Sequence, residues 1–312
     1  MKLSFSTRGW HNNSFEEFCD IAVDLGFEGI ELHNIHNRLF TEKDGAFHDY
    51  AAAATLRRLY EKNLSIPCID AVCNTADEQK ADEAFQEIAK CAEIAKNLKI
   101  PNIRLKAIGD PANEQGFETT ARLIERVLPV AKQNGVTLLL ETSGVFGNTA
   151  ALRDMLNRFA DDNLAALWNL SAAYFSGKET PEQIITNLGA YVRLVHFSDA
   201  EMTDEGISHC LAGEGELPIK DIMLALRSVN YDGFISLVWD PTWCPELDDS
   251  EIIFSQFINF IRQFSDTSKN EKVLYHNKRH TGVFPWKKDL LIEATFSDVL
   301  DRMVEEFPDQ YA

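Results

Sequence analysis

The feature that most limits the fold of this chain is a repeated unit, a short apolar strand followed by an amphipathic helix. The pattern predicts eight strands, at 3–6, 29–33, 66–72, 102–107, 136–141, 165–169, 192–197 and 234–239. A helix is predicted after each strand, and the last of these lies at 251–264. Strands that alternate with helices are typical of a parallel sheet, and eight such units suit a closed barrel. The predicted fold class is therefore α/β, a (β/α)8 TIM barrel.

An open, doubly wound sheet is the alternative architecture for the same alternation. Such sheets usually carry a glycine-rich turn between a strand and a helix, where a phosphate group binds. The sequence contains neither GxGxxG nor GxxxxGK[ST]. The missing phosphate-binding turn favours the closed barrel.

The regular alternation of strands and helices ends after residue 264, which predicts a domain boundary there. Residues 1–264 hold all eight predicted units, and 265–272 form a polar linker. An amphipathic helix is predicted over 296–304, close to the end of the chain. We expect a barrel domain at 1–264 and a helical extension at 265–312, whose helix could pair with a second copy of the chain.

The charge balance excludes some classes of partner. Thirty lysines and arginines stand against 49 aspartates and glutamates, giving a net charge of −19. Such a surface repels nucleic-acid phosphates and, more weakly, anionic lipid. No apolar run of about 18 residues predicts a membrane span. The six cysteines form no CxxC pair, which indicates free thiols in a reducing, cytoplasmic compartment.

Two residues at predicted strand ends are the strongest candidates for chemistry. Glu141 follows three leucines, a position that suits a metal ligand or a base with a raised pKa. The alternative for Glu141 is a structural ion pair with an Arg or Lys of a neighbouring strand. His196 follows Leu194 and Val195 and could bind a metal through one ring nitrogen, or it could be a hydrogen-bonded core histidine.

Further polar or aromatic residues at strand ends are candidates for binding a substrate. They are Glu31 and His33 on the second strand, Arg104 on the fourth and Trp239 on the eighth. A salt bridge across the barrel is the alternative for Glu31 and His33. Packing in the core is the alternative for Trp239, because tryptophan is usually buried whatever its function.

An ordered set of short motifs connects these strand ends with a known family. The motifs are Gly26-Phe27-Glu28-Gly29-Ile30-Glu31-Leu32-His33, Leu139-Leu140-Glu141, Leu167-Trp168-Asn169, Val195-His196-Phe197-Ser198-Asp199, Gly213-Glu214-Gly215-Glu216-Leu217-Pro218 and Tyr231-Asp232-Gly233-Phe234-Ile235-Ser236-Leu237. In this order the chain resembles the xylose-isomerase-like sugar-phosphate isomerase/epimerase family over about residues 1–264.

The resemblance implies a divalent metal, Mn²⁺, Mg²⁺ or Zn²⁺, held by Glu, Asp, His and Glu on strands five to eight. Glu141 and His196 match two of these ligands, whereas Asn169 replaces the aspartate and Val238 replaces the second glutamate. Because hard cations prefer anionic oxygen, these replacements should weaken metal binding steeply, and the metal could be absent. The resemblance therefore implies a barrel for a sugar or sugar phosphate with a degraded metal site and weak or no activity.

Three other functions stay open at this stage. The first is a working metal-dependent ketose or ketose-phosphate isomerase or epimerase that acts through an enediolate. The second is metal-free acid–base chemistry by Glu141 and His196. The third is a non-catalytic binding domain of a fused ligase, since the sequence over 291–312 resembles the opening helix of AMP-forming acyl-CoA synthetases.

Overall fold

The computed structural model describes residues 1–264 except 11, 43, 44, 49, 112, 246 and 248. The chain forms two compact units, Met1–Phe260 and Ile261–Ala312. The predicted linker at 265–272, the terminal helix at 296–304 and the ligase-like segment at 291–312 all lie outside the described residues.

The described residues form ten strands, and eight of these make up the barrel. The strands are β1 (Lys2–Ser6), β2 (Gly29–His33), β3 (Cys68–Asn74), β4 (Asn102–Lys106), β5 (Thr137–Glu141), β6 (Leu164–Asn169), β7 (Val192–Phe197), β8 (Asp199–Thr203), β9 (Gly206–Cys210) and β10 (Phe234–Leu237). The closed barrel has the order β1-β10-β7-β6-β5-β4-β3-β2, with every neighbouring pair parallel. The predicted TIM barrel is confirmed, and the open sheet is wrong.

Helices connect the barrel strands. They are α1 (Phe15–Leu25), α2 (Arg38–Thr41), α3 (Ala52–Glu61), α4 (Ala81–Leu98), α5 (Glu114–Asn134), α6 (Thr149–Phe159), α7 (Pro181–Leu188), α8 (Ile219–Ser228) and a final helix over 250–264. A capping box opens α1, with Ser14 and Glu17 each accepting from the other's backbone N–H. None of the described helices is long and apolar enough to cross a membrane.

The apolar core has two layers, one inside the barrel and one between the strands and the helices. The inner layer contains Cys68, Leu139, Ala165, Leu167 and Leu194, with Phe234 packed against them. In the outer layer, Phe254 of the final helix stacks on Phe5 of β1 at a ring distance of 4.3 Å. This contact lies beside the β1–β10 pair and helps to close the barrel.

The structure differs from the sequence prediction at β3, in the segment that follows β7, and at β10, which ends at Leu237 rather than at 239. β3 begins at Cys68 rather than at 66, because Pro67 has no N–H to donate to a strand ladder. An antiparallel hairpin of β8 and β9 follows β7, where no strand was predicted. Asp199 opens this hairpin and accepts from the backbone N–H groups of Gly213 and Gly215.

Candidate active site

The inner face of the barrel changes from apolar to ionic toward the carboxyl ends of the strands. Successive side chains of a strand alternate between its two faces, so residues two apart share a face. Glu141 therefore follows Leu139 on the inner face, and His196 follows Leu194. The ionic layer so formed consists of Glu31, Asp70, Arg104, Glu141, Asn169 and His196, and is buried except for part of Asn169.

Arg104 links two carboxylates of this layer. Its Nε donates to Oε2 of Glu141, which its Nη2 also contacts, and its Nη1 donates to Oδ2 of Asp70 at 3.2 Å. The three residues belong to β4, β5 and β3, which are adjacent in the barrel. The guanidinium thus places a permanent positive charge where two buried carboxylates converge.

Glu141 has both carboxylate oxygens occupied by side-chain donors. Oε2 accepts from Arg104, and Oε1 accepts from Nδ2 of Asn169 at 2.9 Å. Burial by itself would raise the pKa of Glu141, but the charges of Arg104, His196 and Lys106 and the hydrogen bond from Arg104 together outweigh burial and lower that pKa to about 2. Glu141 is therefore ionised and paired. This arrangement is the structural ion pair that the sequence left open as the alternative to a metal ligand or base.

His196 and Glu31 form a second buried pair, across the barrel from β7 to β2. Nε2 of His196 lies 2.7 Å from Oε1 of Glu31, and both side chains are almost fully buried. Burial raises the pKa of Glu31 despite the opposing charge of His196. Burial acts to lower the pKa of His196, but the carboxylate of Glu31 overcomes this and raises it. Nε2, one of the two ring nitrogens that could bind a metal, is therefore engaged with Glu31.

Asp70 extends the network to the mouth of the barrel. Its Oδ2 accepts from Arg104 and lies 2.9 Å from Nδ1 of His33. Burial would raise the pKa of Asp70, but Arg104 and His33 together lower it well below its ordinary value. The side chain of His33 is 17% exposed, against 3% for Asp70. Among these central residues His33 is thus open to a ligand that enters from the mouth.

The ligand set implied by the resemblance does not fit a metal ion here. Glu141 is occupied by two donors, and Nε2 of His196 is bound to Glu31. Asn169 turns its amide nitrogen toward Glu141, while its Oδ1 accepts from the backbone of Ala172. Val238 offers no ligand atom. The positions that would surround a cation hold an arginine network instead.

A different group of described residues could hold a divalent metal. Glu31, Cys68 and Asp70 each offer one ligand atom, and these atoms lie within 4.8 Å of one another. All three residues are buried and belong to β2 and β3. These strands form the wall of the barrel that faces β6 and β7.

The structure brings most of the predicted site residues into one network, with one exception. Glu141, Asn169, His196, Glu31, His33 and Arg104 are joined directly or through Asp70. Trp239 is 2% exposed and lines a small cavity with Phe197, Leu237 and Phe257, which belong to the outer layer. Its role in binding a substrate stays a prediction.

Sequence reasoning did not include Asp70, Cys68, Ser4 or Ser236 among the site residues. Asp70 connects Arg104 with His33, and Ser236 lies beside Glu31. A signal was present in the spacing of Cys68 and Asp70, two residues apart on an apolar strand and therefore on one face. The sequence alone does not reveal which face of the strand this is, because that depends on the register of β3 with β4.

Comparison with protein families gives one match that covers most of the chain. Residues 19–262 match the family described as xylose isomerase-like TIM barrel. A search of curated proteins finds no significant match. The family match spans all the barrel strands after β1.

Solved structures with the same fold include proteins of several functions. The probable 3-DHS dehydratase AsbF of petrobactin synthesis from Bacillus anthracis is 20% identical, with a TM-score of 0.69 over 84% of this chain and 99% of its own. An L-ribulose 3-epimerase is 15% identical, with a TM-score of 0.69 over 88% and 97%. The IOLI protein with a bound zinc atom is 17% identical, with a TM-score of 0.68 over 83% and 96%. At these identities the likeness concerns the fold.

Proposed function

The chain belongs to the xylose isomerase-like TIM barrel family, and we propose that its barrel binds a ketose or ketose phosphate with weak or no isomerase activity. The single observation that carries this proposal is the pairing of Glu141 with Arg104 and Asn169. The family fold and its epimerase neighbours support the class of ligand. In this proposal the arginine network is the reason that isomerase activity is weak or absent.

Isomerisation at carbon needs a base that accepts a proton and a positive charge that stabilises the enediolate. A base works best when its pKa lies near the working pH, and the pKa of Glu141 is about 2. Val238 cannot accept a proton in place of the second glutamate. Arg104 supplies a positive charge, but its ion pairs with Glu141 and Asp70 already neutralise that charge, so it does not serve to stabilise an enediolate.

Binding a sugar requires fewer functional groups in the site than isomerising it. Hydroxyl and carbonyl oxygens need hydrogen-bond partners that stay accessible from the mouth. His33 is half-buried and oriented by Asp70, and Lys106 at the end of β4 is also incompletely buried. In our proposal these side chains contact the ligand, while the network below them keeps their positions fixed.

A metal-dependent isomerase is the second candidate, and the Glu31–Cys68–Asp70 group is the observation that favours it. The zinc atom in one structural neighbour is in keeping with a divalent ion in this fold. A thiol among the ligands suits Zn²⁺ better than Mg²⁺ or Mn²⁺. This candidate requires that metal addition start proton exchange on a bound ketose.

The experiment that tests the proposal measures binding and chemistry on the same sample. Saturation-transfer NMR with a panel of ketoses and ketose phosphates detects binding, and loss of carbon-bound protons in D2O detects proton transfer. We expect a binding signal that His33→Ala weakens and that the outer-surface variant Arg126→Ala leaves unchanged. We expect no exchange above background, with or without added Mn²⁺ or Zn²⁺.

Two results would overturn the proposal. Absence of binding across the panel would remove the ligand class. Rapid metal-dependent exchange by the unaltered chain would establish the second candidate instead.

A further inference from the structure

The wall of the barrel opposite β6 and β7 carries a polar cluster to which the sugar-binding proposal assigns no ligand. Its centre is Glu31, Cys68 and Asp70, whose ligand atoms lie within 4.8 Å of one another. Glu31 and Cys68 are fully buried, and Asp70 is 2% exposed. None of the three is a ligand in the set that the family resemblance implies for strands five to eight.

Several buried polar atoms around this cluster have no hydrogen-bond partner among the described residues. They include Oε2 of Glu31, Oδ1 of Asp70 and the hydroxyl oxygens of Ser4 and Ser236. An unsatisfied buried polar atom destabilises the folded state, and more so when it is charged. Ser236 lies beside Glu31, and Ser4 pairs with Ser236 in the β1–β10 register. The unsatisfied atoms of this wall therefore offer free hydrogen-bonding and ligand capacity to an occupant.

The buried network also carries more carboxylates than permanent positive charges, which favours the binding of a cation. Three carboxylates, Glu31, Asp70 and Glu141, stand against one permanently charged group, Arg104. Arg104 binds Oδ2 of Asp70, so Oδ1 stays free for another partner. His196 likewise uses Oε1 of Glu31 and leaves Oε2 free. A cation can therefore bind these two oxygens without displacing Arg104 or His196, and the contact it would break is that of the Cys68 thiol with the carbonyl oxygen of Ile69, at 3.6 Å.

We propose that Glu31, Cys68 and Asp70 bind a divalent cation of the zinc class. The thiolate sulfur selects Zn²⁺ or Co²⁺ over Mg²⁺, Ca²⁺ and Mn²⁺, and the two carboxylates provide anionic oxygen. When the ion binds, the Cys68 S–H bond breaks, the proton leaves to water and a metal–sulfur bond forms. The competing occupant of the same space is a water molecule, with a proton on Glu31 in place of the metal charge.

Cobalt is the probe, because a Co²⁺–thiolate bond gives a charge-transfer absorption band in the near ultraviolet. The full chain is produced in cells supplied with Co²⁺, so that the ion is present while the barrel folds. Cys68→Ser tests the ligand, and Cys91→Ser is the matched control, since Cys91 is a buried thiol on α4. We expect one Co²⁺ per chain and a thiolate band in the unaltered chain and in Cys91→Ser.

The same band should be absent from Cys68→Ser. In Glu31→Gln, which keeps the size of the side chain, the affinity for Co²⁺ should fall at least tenfold. Circular dichroism verifies that each variant is folded. A cobalt-free chain, or a band that persists in Cys68→Ser, would overturn the proposal and leave water as the occupant. Neither result depends on sugar binding, so this test and the test of the proposed function can fail separately.

Discussion

Replacing Arg104 with methionine should destabilise the barrel more than any loss of a surface ion pair. The substitution keeps most of the apolar stem but removes the only guanidinium between Asp70 and Glu141. The carboxylate of Glu141 has a low pKa, about 2 against an ordinary 4.5, because Arg104, and to a smaller extent His196 and Lys106, overcome the effect of burial. That difference corresponds to about 3 kcal/mol at neutral pH. Breaking a buried pair typically costs about 3–5 kcal/mol, which agrees in magnitude.

Urea denaturation measures this loss as a change in the free energy of unfolding. The control is Arg126→Met, because Arg126 pairs with Asp82 on the surface at 2.7 Å and should contribute less than about 1 kcal/mol. The unpaired carboxyl groups of Arg104→Met should have raised pKa values. Part of the lost stability should therefore return as the pH falls toward 5. A loss below about 1 kcal/mol at pH 7, or one that does not change with pH, would refute the reasoning.

Three further predictions concern other parts of the structure. The unaltered chain should lose stability as the pH falls from 4.5 toward 2, because Glu141 has a lowered pKa when folded, and Glu141→Gln should lose less over that range. The pKa of His196, followed by NMR, should lie above 6.5 and fall in Glu31→Gln. The stability that His196 contributes is present below pH 6.5 and is lost as the pH rises through its folded pKa. By urea denaturation, Gly144→Ala should cost more than Gly135→Ala. Both glycines have positive φ, but a Cβ would meet the carbonyl oxygen of Ala107 only at Gly144.

The sequence was sufficient to predict the barrel because each strand carries its own apolar signal. Three leucines before Glu141 fix both the strand and the position at which its carboxylate leaves the apolar layer. The β8–β9 hairpin escaped prediction because its residues are mostly polar and partly exposed. Its position depends on contacts such as those of Asp199 with Gly213 and Gly215, which are remote in sequence.

The members of the site were more predictable than their partners. Glu141, Asn169 and His196 could be placed at strand ends from the local sequence alone. The pairing of Arg104 with Glu141 depends on barrel register, since Arg104 is opposite Leu139 in the ladder and reaches forward to the next inward residue. The pairing of Glu31 with His196 crosses the barrel and depends on its diameter. Distances of this kind follow from closure of the sheet and have no local signal.

In our proposal the arginine network takes the place of the metal site that the family resemblance implies on strands five to eight. The direct test is a Mn²⁺ titration followed by electron paramagnetic resonance. It compares the unaltered chain, the double variant Asn169→Asp, Val238→Glu and a triple variant that adds Arg104→Met. The account predicts no tight Mn²⁺ binding in the unaltered chain, little in the double variant and stoichiometric binding in the triple variant. Tight Mn²⁺ binding by the unaltered chain that Glu141→Gln abolishes would contradict it.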